Sequence, residues 1–139
     1  MNWTTEHIPD LKGKIIVVTG GNSGLGYESV KAFAGKGAEV VLASRSIEKG
    51  EEARNEIIKA VPEGNIKVME LDLSDLASVS NFATTFKQNY TRLDVLLNNA
   101  GVYGDKEKQG IDVLDADEFN FVINVNALGP LKVSQALLP

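Results

Sequence analysis

Lys14-Ile15-Ile16-Val17-Val18-Thr19-Gly20-Gly21-Asn22-Ser23-Gly24-Leu25-Gly26 decides the fold. Lys14–Thr19 is mostly β-branched and does not alternate with polar residues, so it reads as a strand buried on both faces. Ser23–Lys36 reads as a helix, with Leu25, Val30, Phe33 and Ala34 on its apolar face and Gly35 and Gly37 as its stop. Strand, glycine turn and helix therefore follow one another without a spacer. A glycine at the strand end permits a tight turn, a second lets backbone approach a pyrophosphate, and a third lets the helix pack close to the sheet. The N–H groups of the helix start then face phosphate. The spacing Gly20-x-x-x-Gly24-x-Gly26 differs from G-x-G-x-x-G. A P-loop is excluded, because Gly21-x4-Gly26 is followed by Tyr27 where Lys is required. The bland alternative is a glycine turn that only joins strand to helix.

The same alternation continues outward. Glu39–Ser44 reads as a second strand and Ile47–Val61 as a second helix, capped by Ser46 and ended by Pro62-Glu63-Gly64. Ile66–Leu71 is a third strand. Asp75–Asn89 is a third helix, with Ser74 as its N-cap and Val79, Phe82, Ala83 and Phe86 at helical spacing. Leu93–Asn98 is a fourth strand and Gly101–Leu114 a charged loop. Asp115-x-x-Glu118 looks like a capping box that opens a last helix to about Leu138. Apolar strands separated by helices imply an α/β fold, a doubly wound parallel sheet of the Rossmann type with order 3-2-1-4. A six-strand version needs roughly 200 residues or more. Residues 1–139 are therefore expected to be a single dinucleotide-binding domain, the incomplete N-terminal part of a larger catalytic domain.

Composition removes several classes of function. With 14 Lys+Arg against 19 Asp+Glu the net charge is −5, and no basic stripe is present to neutralise nucleic-acid phosphates. There is no Cys, hence no disulfide, no thiolate nucleophile and no Cys-based zinc site. The single His7 cannot build a His-rich metal site and reads as a tail residue, with Trp3 at the domain edge or disordered. No apolar run approaches the ~20 residues of a membrane span, and the polar start lacks a secretory core. The expected location is cytoplasmic.

The glycine loop resembles the TGxxxGxG fingerprint of the short-chain dehydrogenase/reductase family. Further matches follow in order: Asp72-Leu73 after the third strand, Asn98-Asn99-Ala100-Gly101 after the fourth (similar to the family's NNAG), and Asn126-Ala127-Leu128-Gly129 in the last helix (similar to N-x-x-G). The resemblance covers essentially residues 10–139. It implies a phosphate-binding loop of Gly20, Asn22, Ser23, Gly24, Leu25 and Gly26. It further implies that Asp72 accepts from the adenine amino group, that Leu73 offers backbone contacts, and that Asn99, Ala100 and Gly101 line the ribose. Asp72 could equally be a helix cap. Asn98 and Asn99 could instead tie strand ends together, and for Asn98 the tie is the preferred reading.

The cofactor variant is written after the second strand. A ribose 2′-hydroxyl is usually held by an acid about 20 residues past the loop. Here that place reads Ala43-Ser44-Arg45-Ser46, and the first carboxylate, Glu48, already lies in the helix. A guanidinium can bind a 2′-phosphate and stack on adenine, and Ser44 can donate a hydrogen bond. Ser44 and Arg45 therefore predict NADP(H), and the segment resembles the retinol-dehydrogenase-like branch of the family. The alternative for Arg45 is a solvated surface residue.

Pro130 has no N–H, so the carbonyl of Asn126, four residues back, loses its helical partner. By resemblance, that carbonyl holds a proton-relay water in the family, which makes Asn126 a catalytic candidate. A packing kink eased by Gly129 explains Pro130 equally well. The family's Ser and Tyr-x-x-x-Lys are not found in their expected context. Tyr27-x-x-x-Lys31 matches the pattern but sits directly behind the phosphate loop, and Tyr90 and Tyr103 are followed four residues on by Asp94 and Glu107. The expectation is an NADP(H)-dependent oxidoreductase acting on a small carbonyl or alcohol, inactive as this chain alone, without metal, nucleic-acid or membrane-spanning partners, and homo-oligomeric. Two rivals stand beside it. One is a non-catalytic NADP(H)-binding sensor or scaffold. The other is a sugar-nucleotide epimerase of the family's extended branch, against which the Gly24-x-Gly26 spacing and the NNAG motif speak.

Overall fold

The computed structural model describes residues 2–104 and 115–139. A parallel sheet in the order β3-β2-β1-β4 is built from β1 (Ile15–Thr19), β2 (Glu39–Ser44), β3 (Asn65–Glu70) and β4 (Val95–Leu97). The helices are α1 (Gly24–Gly35), α2 (Ile47–Ala60), α3 (Leu76–Asn89), α4 (Ala116–Ile123) and α5 (Gly129–Leu137), the last two joined by a π-helical turn over Asn124–Leu128. This is the expected doubly wound sheet, in the expected order.

The period of two along each strand divides the core between the two faces. Ile16, Val18, Val40 and Leu42 pack with Val30 and Ala34 of α1 and Ala53 and Ile57 of α2. Val17, Val41, Ala43 and Met69 pack on the other face with Val79, Phe82 and Phe86 of α3 and with Val125 and Val133. Both faces are covered, which is why β1 and β2 carry no polar alternation. At the amino end of the chain, Trp3 stacks on His7 and stays exposed, so neither enters the core.

Several boundaries differ from the sequence reading, each for a local reason. The third helix is capped by Asp75, which accepts from the Ala77 N–H, and not by Ser74. Ser74 is already engaged, because its hydroxyl and its N–H both bind Asp72 Oδ1. β4 is shorter than Leu93–Asn98, and side chains take part in the pairing at both ends, although the Asp94 N–H still donates to the Ile15 carbonyl. Asp94 accepts the Ile15 N–H through its carboxylate, and the Asn99 N–H binds the Thr19 hydroxyl. The last helix does begin at an Asp115 cap, which accepts from Asp117 and Glu118 N–H groups. It is not continuous, however. Pro130 follows a turn in which the Gly129 N–H reaches back five residues to the Asn124 carbonyl. Of the charged loop expected over Gly101–Leu114, residues 105–114 lie outside the described residues.

Candidate functional site

The carboxyl ends of β1, β2, β3 and β4 open onto one groove. It is lined by Thr19, Gly20 and Asn22 after β1, Arg45 after β2, Leu71-Asp72-Leu73 after β3, Ala100-Gly101-Val102 after β4, and Val125 from the π turn. This is the crevice where an open α/β sheet binds ligands.

Each wall is fixed by a specific contact. Thr19 is buried at the end of β1, where its hydroxyl oxygen accepts the N–H groups of Asn99 and Ala100, each at 3.0 Å. Gly20 turns with φ +65°, and a side chain there would press on the Ala100 backbone at 2.9 Å. Gly24 has φ +56° with open space around it. A side chain on Gly26 would collide with the Gly20 carbonyl and the Asn99 side-chain amide. The three glycines thus divide the work as their order suggests: turn, open approach, close packing of α1. Ser23, Gly24 and Leu25 are exposed at the start of α1, Leu25 at 81%.

On the far wall, Asp72 has its Oδ1 bound by the Ser74 hydroxyl at 2.6 Å and the Ser74 N–H at 2.9 Å. The Ser74 hydroxyl, helped by that N–H and by the positive charge of Arg45, outweighs burial and holds the Asp72 carboxyl below the usual carboxylate range. Arg45 and Asp72 therefore line the same groove as charged partners of opposite sign.

The groove brings together Gly20, Asn22, Arg45, Asp72, Leu73, Ala100 and Gly101 from the sequence candidates. Others stand elsewhere. Ser44 does not reach the groove: it is buried, and its hydroxyl donates to the Ser46 carbonyl and accepts the Ser46 N–H. Asn99 is not a lining residue. Its amide donates to the carbonyls of Thr19 and Gly20, so it performs the strand tie open to both asparagines, while the Asn98 amide, for which the tie is the preferred reading, reaches Ser134 on α5. Asn126 contributes through its side chain: Oδ1 accepts the Val102 N–H and Nδ2 donates to the Val102 carbonyl, both at 2.8 Å. This two-point clamp fixes the loop after β4. Thr19, Leu71, Val102 and Val125 were missed. A polar residue closing an otherwise apolar strand was the available signal for Thr19; Val125 depends on the π turn, which nothing in the sequence announces. Tyr27 packs with the α1–α2 side of the core, away from Asp72 and Leu73.

The family model described as short chain dehydrogenase matches residues 14–139. The chain belongs to the short-chain dehydrogenase family. Among its relatives, human retinol dehydrogenase 11 is 41% identical over 128 residues, which is 92% of this chain and 39% of that protein. The short chain dehydrogenase/reductase dpchH of Colletotrichum higginsianum is 40% identical over 141 residues, covering 99% of this chain and 34% of that protein. A metagenomic short-chain oxidoreductase solved in complex with NADP superposes with a TM-score of 0.83 at 32% identity, over 92% of this chain and 56% of that one. The chain thus spans little more than a third of the length of these curated relatives. Among the described residues no helix is long and apolar enough to cross a membrane, and no cluster of His, Cys, Asp or Glu could hold a metal.

Proposed function

We propose that this chain binds NADP(H) and forms the cofactor-binding portion of an oxidoreductase that moves a hydride between nicotinamide and a carbonyl/alcohol pair. The observation that carries the cofactor choice is Arg45. It is exposed at the mouth of the groove, directly after β2, where a carboxylate would stand to hold a free ribose hydroxyl. A 2′-phosphate adds charge that a guanidinium binds with paired donors and a carboxylate repels. The groove suits the rest of the cofactor: the open φ +56° turn at Gly24 and the exposed start of α1 fit a pyrophosphate, and Asp72 and Leu73 fit an adenine edge. When bound, the cofactor supplies the hydride or accepts it. This chain's own residues bind and orient it: the glycine loop through N–H groups, Arg45 through charge, and Asn126 by holding Val102. The complex of the metagenomic relative with NADP supports the same choice.

A titration followed by nicotinamide fluorescence tests this reading. The unaltered chain binds NADPH more tightly than NADH. Arg45→Ala costs about 10–100-fold for NADPH, the range for a hydrogen-bonded charge, and leaves NADH nearly unchanged. Equal affinities for the two cofactors in the unaltered chain would sink the assignment. The sensor or scaffold reading keeps the same binding and differs only in chemistry. The Tyr27-x-x-x-Lys31 pattern lies on α1, with Tyr27 packed on the side of the sheet away from Asp72 and Leu73, so it favours neither reading.

A further inference from the structure

The loop after β3 is gripped from two sides. From α3, Ser78 Oγ accepts the N–H of Asp72 at 2.9 Å. From the other side, the first residue of α5 presses on Leu73. A Cβ built on Gly129 would lie 2.8 Å from Leu73 Cβ, 2.9 Å from the Leu73 carbonyl oxygen and 3.1 Å from the Asn124 carbonyl oxygen. None of these atoms can swing away as the end of a flexible side chain could. Gly129 is also the residue whose N–H closes the π turn on Asn124, so the helix has no freedom to step back without opening that turn. Asp72 and Leu73 line the groove, whereas Ser78 and Gly129 do not.

We propose that Gly129 and Ser78 are positioning residues that hold the Asp72-Leu73 loop at the adenine edge of the cofactor. The inference rests on the NADP(H) reading. Ordinary packing needs carbon–carbon separations of about 3.5–4 Å, so a methyl at 129 displaces Leu73 by roughly 0.7 Å or more. A hydrogen bond from the adenine amino group to Asp72 tolerates about 2.7–3.2 Å, and a shift of that size breaks it. Loss of the Ser78 hydroxyl frees the Asp72 N–H and lets the same loop drift. Neither change touches the phosphate loop or Arg45, and Ser78→Ala, which leaves the π turn alone, confines the damage to how the purine is read.

Calorimetric titration with NADPH and with deamino-NADPH, whose purine carries a 6-oxo group in place of the 6-amino group, reads this directly. The unaltered chain binds NADPH about tenfold more tightly than the deamino form, the value of one hydrogen bond to a charged acceptor. Gly129→Ala and Ser78→Ala bring the ratio close to one, and Ser78→Thr, which keeps the hydroxyl, preserves it. A general loss of stability lowers both affinities together and leaves the ratio alone. If Gly129→Ala does not fold, the Ser78 pair decides. A chain that discriminates, with Ser78→Ala discriminating equally well, overturns the positioning role alone. A chain that binds both forms equally removes the Asp72 contact and the proposal with it. A chain that binds neither overturns the cofactor reading itself.

Discussion

Replacing Thr19 by Val keeps the shape of the side chain and removes its oxygen. That oxygen is buried at the end of β1 and receives two backbone donors, the N–H groups of Asn99 and Ala100. The Asn99 N–H also lies 3.0 Å from the Leu97 carbonyl and keeps that bond, so the cost falls mainly on Ala100. One partly buried donor left unpaired costs about 1–3 kcal/mol, and part of the shared Asn99 bond is lost besides. A loss of about 2 kcal/mol follows, which for a chain of this length lowers the melting temperature by roughly 6–10 °C. The loop Ala100–Val102 forms one wall of the groove, so NADPH affinity falls as well. Thr19→Ser keeps the oxygen, loses one methyl, and stays within about 1 kcal/mol of the unaltered chain. Thermal melts and a cofactor titration on the three proteins measure both effects. The reasoning is refuted if Thr19→Val melts within 2 °C or so of the unaltered chain, or if Thr19→Ser is as damaging as Thr19→Val.

The Asp72 carboxyl is held below the usual carboxylate range, chiefly by the Ser74 hydroxyl. Its contribution is therefore present above the unfolded value and is lost as pH falls through the lower folded one; Ser74→Ala should move the Asp72 titration upward in a carboxyl NMR series, and an unmoved titration would deny the hydroxyl its role. With NADP(H) and a panel of aldehydes, ketones and alcohols, the 139-residue chain should show only background turnover, since positioned acid–base groups supply about 10²–10⁴-fold. Turnover that Tyr27→Phe abolishes would make the pattern on α1 catalytic after all. The chain should also self-associate: Val95 on the outer edge of β4 is 45% exposed, and Leu128 and Leu131 are 44% and 49% exposed near α5. Light scattering behind a sizing column at micromolar concentration checks this, and a clean monomer with a cooperative melt would count against it.

How much of this was legible depended on whether a property is local or set by packing. The glycine loop is local. Its three glycines are needed for a turn, an open approach and a close contact within seven residues, so the order of the letters already carried the geometry. The sheet order followed as well, because four apolar runs separated by helices leave few right-handed ways to wind. The failures lie where a side chain had two possible partners. Ser74 sits one residue before the Asp75 cap, and either could have closed α3; the Asp72 carboxylate decided it by taking the Ser74 hydroxyl and N–H together. Asn98 and Asn99 are the same residue type in adjacent places just past β4, and only the packing shows that one amide reaches Ser134 and the other Thr19 and Gly20. Pro130 announced a disturbed helix but not its form. An extra residue in the turn before it leaves Val125 lining the groove while the Asn126 amide grips Val102. A π turn costs regular hydrogen bonding, and such turns often mark functional sites. Here it lets one short stretch of helix support both loops of the groove, Leu73 through Gly129 and Val102 through Asn126.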